Sequence, residues 1–159
     1  MNVAASLCFL SLSVSLPALP HEINLSHMRP EAAVRLQSYG EPSIALIDLI
    51  VPFLAQRHFK LDHPRSISGG GIELAVLSSD LDPNNPALSD AVVAEGTFNN
   101  VVVTYCSWVS RYIPHDPNGP GRASTFLVEL KDFLSTLPTP RLEVTTIKLE
   151  SGHACGTAF

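Results

Sequence analysis

Three short stretches of the chain carry residue types that could do chemistry. Ser66-Ile67-Ser68-Gly69-Gly70-Gly71 is a glycine run whose backbone N–H groups can approach an anion or a developing oxyanion. No Gly-Lys-Ser/Thr follows it and the GxGxxG order is absent, so it is not a nucleotide loop. Its plain alternative is a flexible turn before the strand that starts near Ile72. Glu150-Ser151 follows an expected strand, where a strand-to-helix turn could expose a serine nucleophile; the alternative is a surface serine. His153 lies two residues on, too close along a turn to reach that hydroxyl as a base. His58, Asp62 and His63 form a third group, with His115-Asp116 in a proline-rich loop. A metal needs three or four convergent ligands, so these read as solvated loop side chains, and neither a metal nor another cofactor is expected. A histidine freed at His21 by cleavage could bind copper only if the chain were cut at Pro20. Trp108 and Tyr112 flank Arg111 and read as aromatics packing a guanidinium stem.

The elements that must position these residues follow from periodicity and punctuation. Pro30 suits the first turn of a helix through Glu31–Tyr39, with Gly40 as its stop. A second helix is expected from Pro42 to about His58, with Ile44, Ile47, Ile50 or Val51, and Leu54 on one stripe and Pro52 kinking or dividing it. Ile72–Leu77 reads as a strand. Asn85-Pro86 opens a short helix that Gly96 ends. Phe98–Cys106, with Val101-Val102-Val103, is a continuous apolar run of the kind found in parallel strands covered on both faces. Ser124 or Thr125 caps a helix whose Phe126, Leu127, Leu130, Phe133, Leu134 and Leu137 share one face. Leu142–Leu149 is the last strand. Strand, helix, strand, helix, strand is two βαβ units, so the expected fold class is α/β. The sheet is small and mostly parallel, and the N-terminal segment is helical.

Taken together, these loops resemble the N-terminal half of the hormone-sensitive-lipase-type carboxylesterases of the α/β-hydrolase superfamily. Ser68-Gly69-Gly70-Gly71 stands where that family has His-Gly-Gly-Gly. Ser110-Arg111-Tyr112-Ile113-Pro114-His115-Asp116-Pro117, after Val101–Val103, is similar to the family's Tyr-Arg-Leu-Ala-Pro-Glu-His-Pro. Ala123–Leu137 matches the helix that follows, and Glu150-Ser151 matches the Asp-Ser of the nucleophile elbow; the likeness covers about residues 66–156. The resemblance implies an esterase-like hydrolase with Ser151 as acyl nucleophile, Gly69, Gly70 and Gly71 as oxyanion donors, and a small ester as substrate. Leu149 and His153 stand where the elbow has small residues, and only residues 152–159 follow Ser151, so it implies a truncated or inactive relative. The competing expectation is a small non-catalytic binding domain with a protein partner or a homodimer.

Composition bounds both readings. The 159 residues, 45% hydrophobic and 16% charged with mean hydropathy +0.20, suffice for one domain with its own core. A net charge of −5 gives no basic excess to neutralise phosphates, so nucleic acid is not an expected partner. Val3–Leu16 is apolar, serine-rich and closed by Pro17 and Pro20. It has the length of a secretory signal core and is too short for a stable membrane span. Residues 1–20 are therefore either a signal peptide or a buried first element, residues 21–159 one α/β domain, and the location secreted or cytoplasmic. Removing the segment would take Cys8 and leave Cys106 and Cys155, a pair that could bridge in an oxidising compartment. Keeping it leaves three cysteines that suit a reducing one.

Overall fold

The computed structural model describes residue 25 and residues 28–78, 90–108, 117–138, 141–150 and 155–156. Residues 1–20, with Cys8, lie outside them, as do His21, Arg111, Tyr112, His115, Asp116, Ser151 and His153. The elements in chain order are β1 (Met28–Ser38), α1 (Ser43–Gln56), β2 (Phe59–Lys60), β3 (Arg65–Ile67), β4 (Gly71–Ser78), β5 (Ala91–Thr97), β6 (Asn100–Trp108), α2 (Gly119–Ser135) and β7 (Leu142–Ile147).

The strands form one sheet in the order β2-β4-β5-β6-β1-β7, and β3 shares the outer edge of β4 with β2. Every described pairing is antiparallel. This corrects the α/β expectation: the chain is a mainly antiparallel sheet with two helices, not a parallel sheet of βαβ units. The strand through Val101–Val103 is central and buried, as its composition requires, yet it is antiparallel to both neighbours. Burial on both faces, rather than parallel pairing, is what a continuous valine run reports.

Two expected helices are strands. Residues 34–38 alternate buried and outward positions, with Val34, Leu36 and Ser38 buried between Arg35 and Gln37. This period of two, locked between β6 and β7, overrides the helix propensity of Glu31, Ala32 and Ala33. Pro30 is tolerated because the β1–β6 register shifts between Pro30 and Ala32, and the β7 ladder reaches only as far as Ala33. The second is β5, whose residues from Ala91 to Gly96 are all buried, with Val92 and Val93 facing opposite sides. β5 and β6 join through a two-residue turn at Phe98-Asn99, where Phe98 takes a left-handed φ of 51°.

The other two expected helices form, although Ile44, placed on the stripe of α1, is 37% exposed. Ser43, Leu46, Ile47, Ile50, Phe53 and Leu54 of α1 are buried, a spacing that keeps one face inward. Pro52 lies inside α1 without dividing it. Both Pro52 and Asp48, whose carbonyl loses its donor there, sit on the exposed side, where water can satisfy that oxygen. α2 starts at Gly119, earlier than Ser124, with Pro120 in its first turn and Ala123, Phe126, Leu127, Leu130 and Leu134 buried. Gly119 permits this start: a Cβ there would lie 3.0 Å from Ser107 Oγ and 3.1 Å from Glu31 Oε1.

Both helices pack on one sheet face, against Val34, Leu36, Leu74, Val76, Val101 and Val103 among others. The opposite face carries a smaller cluster of Met28, Ala91, Val93, Cys106 and Cys155, with Trp108 half-buried beside it. Cys106 and Cys155 form a disulfide with Cα atoms 6.3 Å apart, the pairing that the even-cysteine alternative allowed. Among the described residues no helix is long and apolar enough to cross a membrane.

Candidate functional site

At the end of the sheet where β4 stops and β5 starts lies a cavity of about 510 Å³. Its aromatic walls are Phe59 of β2 and Phe126 of α2, and Tyr105 of β6 lines it as well. Phe126 holds these walls together, with ring centroids 5.9 Å from Phe59, 5.0 Å from Tyr105 and 5.3 Å from Phe53. The remaining lining is polar, from Ser78, Asn118 and Thr125 and from two ion pairs.

The first ion pair is the anchor. Asp90, 1% exposed, immediately precedes β5, and its carbonyl accepts the Ser78 N–H at 2.8 Å. Its carboxylate receives the Arg122 guanidinium in a two-point grip, Nε to Oδ2 at 2.7 Å and Nη2 to Oδ1 at 2.9 Å. Such forked pairing fixes orientation as well as charge. The Tyr105 hydroxyl donates to the same Oδ2. A carboxylate so deep in the fold requires this company, because an unpaired buried charge would be strongly destabilising. In the second pair, Arg57 at the end of α1 reaches Glu129 on α2, with its guanidinium 5.2 Å from the Phe53 ring centroid.

Burial raises the Tyr105 hydroxyl far above the ordinary phenol range. Its hydrogen bond to Asp90 and that group's negative charge add to the rise, which Arg122 partly offsets. Tyr105 is thus a fixed neutral donor. In the unfolded chain it ionises near pH 10, and in the folded chain only higher, so folded protein holds more protons between the two values. Stability from this group is complete below about pH 10 and declines above it, at up to about 1.4 kcal/mol per pH unit. Urea titrations between pH 9 and 11.5 should show a steeper decline for the wild type than for Tyr105→Phe. Parallel curves would contradict the assignment.

Those residues singled out from sequence that are described do not line this cavity. Gly69 and Gly70, both at φ 80°, turn the β3–β4 hairpin, and Gly71 begins β4 opposite Ile67. Left-handed geometry at both positions explains why glycines stand there. A Cβ built on Gly69 or Gly70 meets nothing within 4 Å, so the turn is an open tip. Ser151 lies outside the described residues, so its distance from these amides is not part of the geometry. His58 and His63 are exposed, and the Asp62 carboxylate accepts the His63 N–H at 2.7 Å. Among the described residues no three His, Cys, Asp or Glu side chains converge as metal ligands do. Asp90, Tyr105 and Arg122 escaped the sequence reading. One signal was present: Val101, Val103 and Tyr105 share a strand face, and a tyrosine ending a buried row demands a partner for its hydroxyl.

Three comparisons place no relative beside this geometry. No family model, curated protein or solved structure matches the chain. The site must therefore be read from its own chemistry. Among the described lining residues there is no histidine or cysteine, and both carboxylates are engaged by arginine. What the described lining offers is an apolar slot with fixed donors and acceptors.

Proposed function

We propose that this chain is a non-catalytic binding domain that takes one small, net-neutral organic molecule into the cavity between α1, α2 and the sheet. The observation that carries this reading is the cavity itself, of a size typical for small ligands and floored by the buried Asp90–Arg122–Tyr105 cluster. Phe59 and Phe126 favour an aromatic or aliphatic body. Ser78, Thr125 and Asn118 supply hydrogen-bonding groups for a polar end. Two guanidinium groups and two carboxylates line the site as pairs, so among the described lining residues a ligand with net charge would lose its hydration without gaining an unengaged counter-ion. The Cys106–Cys155 bridge supports action in an oxidising compartment, in keeping with a secreted protein.

Thermal unfolding in the presence of fragments tests this. Benzamide at millimolar concentration should raise the midpoint, whereas benzoate and benzylammonium at equal concentration should not. Thr125→Trp, which puts a bulky ring into the cavity from α2, should abolish the benzamide effect. Equal shifts from all three fragments, or an undiminished shift in Thr125→Trp, would contradict the proposal.

A further inference from the structure

The end of the sheet opposite the cavity presents a side chain that the fold itself does not ask for. Phe98, in the turn between β5 and β6, is 89% exposed and holds a left-handed φ of 51°. Glycine or asparagine adopts that conformation at far less cost than a bulky side chain. The ring therefore buries almost nothing in its own chain and sits on backbone that suits it poorly. The turn is nevertheless firmly held. Phe98 O accepts the Ser43 N–H at 2.6 Å, Asn99 O accepts the Ser38 N–H at 3.1 Å, and Asn99 Nδ2 donates to Ser38 O at 2.7 Å. Gly96 permits this close approach, since a Cβ there would lie 2.6 Å from Ser43 Cβ. Tyr39 and Ile44, next in sequence to Ser38 and Ser43, are 61% and 37% exposed. An exposed aromatic on a rigid base, with smaller apolar contributions beside it, is how an interface anchor is built.

We infer that Phe98 of one copy of this chain inserts into the Phe59–Phe126 cavity of a second copy, joining copies head to tail. The inference rests on that cavity being a site for a neutral molecule, and it names the occupant. Knob and cavity cannot meet within one chain, because the seven residues of β5 separate them, about 23 Å at the rise of an extended strand. Between copies they match. No residue of the turn from Thr97 to Asn100 carries charge, which suits a site whose two guanidinium groups and two carboxylates are paired with each other. Phe59 and Phe126 offer aromatic walls to the incoming ring. Asn118, Gly121 and Thr125 of the lining stand at exposed positions, so the cavity opens to solvent along the start of α2. Its volume of about 510 Å³ takes a benzyl group and leaves room for the turn behind it. The two surfaces differ, so the contact is heterologous: each added copy presents a further knob, and chains or closed rings form rather than a two-fold dimer. One knob with its neighbours buries less than a standard interface, so the association is weak and free benzamide competes with it.

Sedimentation velocity on the full chain, from micromolar to near-millimolar protein, tests this. Expected are species that grow with concentration past the dimer and that excess benzamide dissolves. Phe98→Asn, which suits the left-handed position, should stay folded and weaken association by roughly tenfold or more, the scale for removing a central aromatic anchor. Should that variant not fold, Phe98→Gly carries the same readout. Thr125→Trp keeps the knob and blocks the cavity, so it too should stay monomeric on its own. Mixed in equal amounts, Phe98→Asn and Thr125→Trp should form a 1:1 pair and nothing larger. A monomeric wild type, association unchanged in Phe98→Asn, or no pair in the mixture would each overturn the inference. If benzamide raises the unfolding midpoint of Phe98→Asn while the wild type stays monomeric, the inference falls and the binding proposal stands. If the mixture pairs but benzamide leaves that midpoint unchanged, the inference stands and the small-molecule reading falls.

Discussion

Asp90→Ala should destabilise the domain by about 3–5 kcal/mol, the range for removing one partner of a buried ion pair. The change leaves the Arg122 guanidinium without the carboxylate that grips it at two points and the Tyr105 hydroxyl without its acceptor. Arg122 is 30% exposed and can regain some water, which places the expected cost toward the lower end of that range. Asp90→Asn keeps an oxygen of the same shape and should cost less, about 1–3 kcal/mol, the penalty for a hydrogen bond left unmade in the interior. Urea unfolding at neutral pH measures both. A loss below about 1 kcal/mol for Asp90→Ala would mean that the cluster does not organise this end of the sheet.

The other large effect belongs to Phe126. It is 5% exposed and touches three aromatic rings from two strands and the other helix. Phe126→Ala should cost about 3–5 kcal/mol, through lost transfer energy and the void left among rings that cannot all collapse inward. Because Phe126 is also a wall of the cavity, the variant should bind benzamide less tightly even at temperatures where it remains folded. Phe126→Leu keeps most of the apolar volume and should lose much less stability. If Phe126→Ala unfolds no more readily than the leucine variant, the aromatic cluster is not the core element described.

Much of the local structure was legible, and its failures have physical causes. The stripes of α1 and α2 were clear because each helix buries a single face against the sheet, leaving an unbroken helical period. β4, β6 and β7 were equally plain. Glu31–Ser38 misled because its residue types favour helix, while the alternation of Val34, Leu36 and Ser38 decides the outcome only once β6 and β7 lie on either side. β5 misled for a different reason: it follows Asp90 within a stretch whose Asn85-Pro86 suits a helix start, and its burial on both faces erases any period of two. Turning that strand into a helix is what converted an antiparallel meander of β4, β5 and β6 into an expected βαβ unit.

The site was less legible than the fold. Asp90, Tyr105 and Arg122 come from three elements with no shared motif, and Arg122 meets Asp90 only because α2 crosses back over the sheet between β6 and β7. The glycine run attracted notice for its backbone freedom, and the structure uses that freedom for a hairpin tip. The possibility of a Cys106–Cys155 pair could be read from counting alone, but its place beside Ala91 and Val93 depends on strand register that no spacing rule reports.

The cavity beside Asp90, Arg122 and Tyr105 is proposed to receive a net-neutral small molecule. Heteronuclear magnetic resonance during a benzamide titration tests it most directly, following the Arg122 Nε–Hε signal and the ring signals of Phe59 and Phe126. Saturating shifts at these three residues, absent in Thr125→Trp and absent when benzoate replaces benzamide, are the predicted result. Signals that stay fixed up to millimolar benzamide, or shifts spread over the surface and retained in Thr125→Trp, would contradict it.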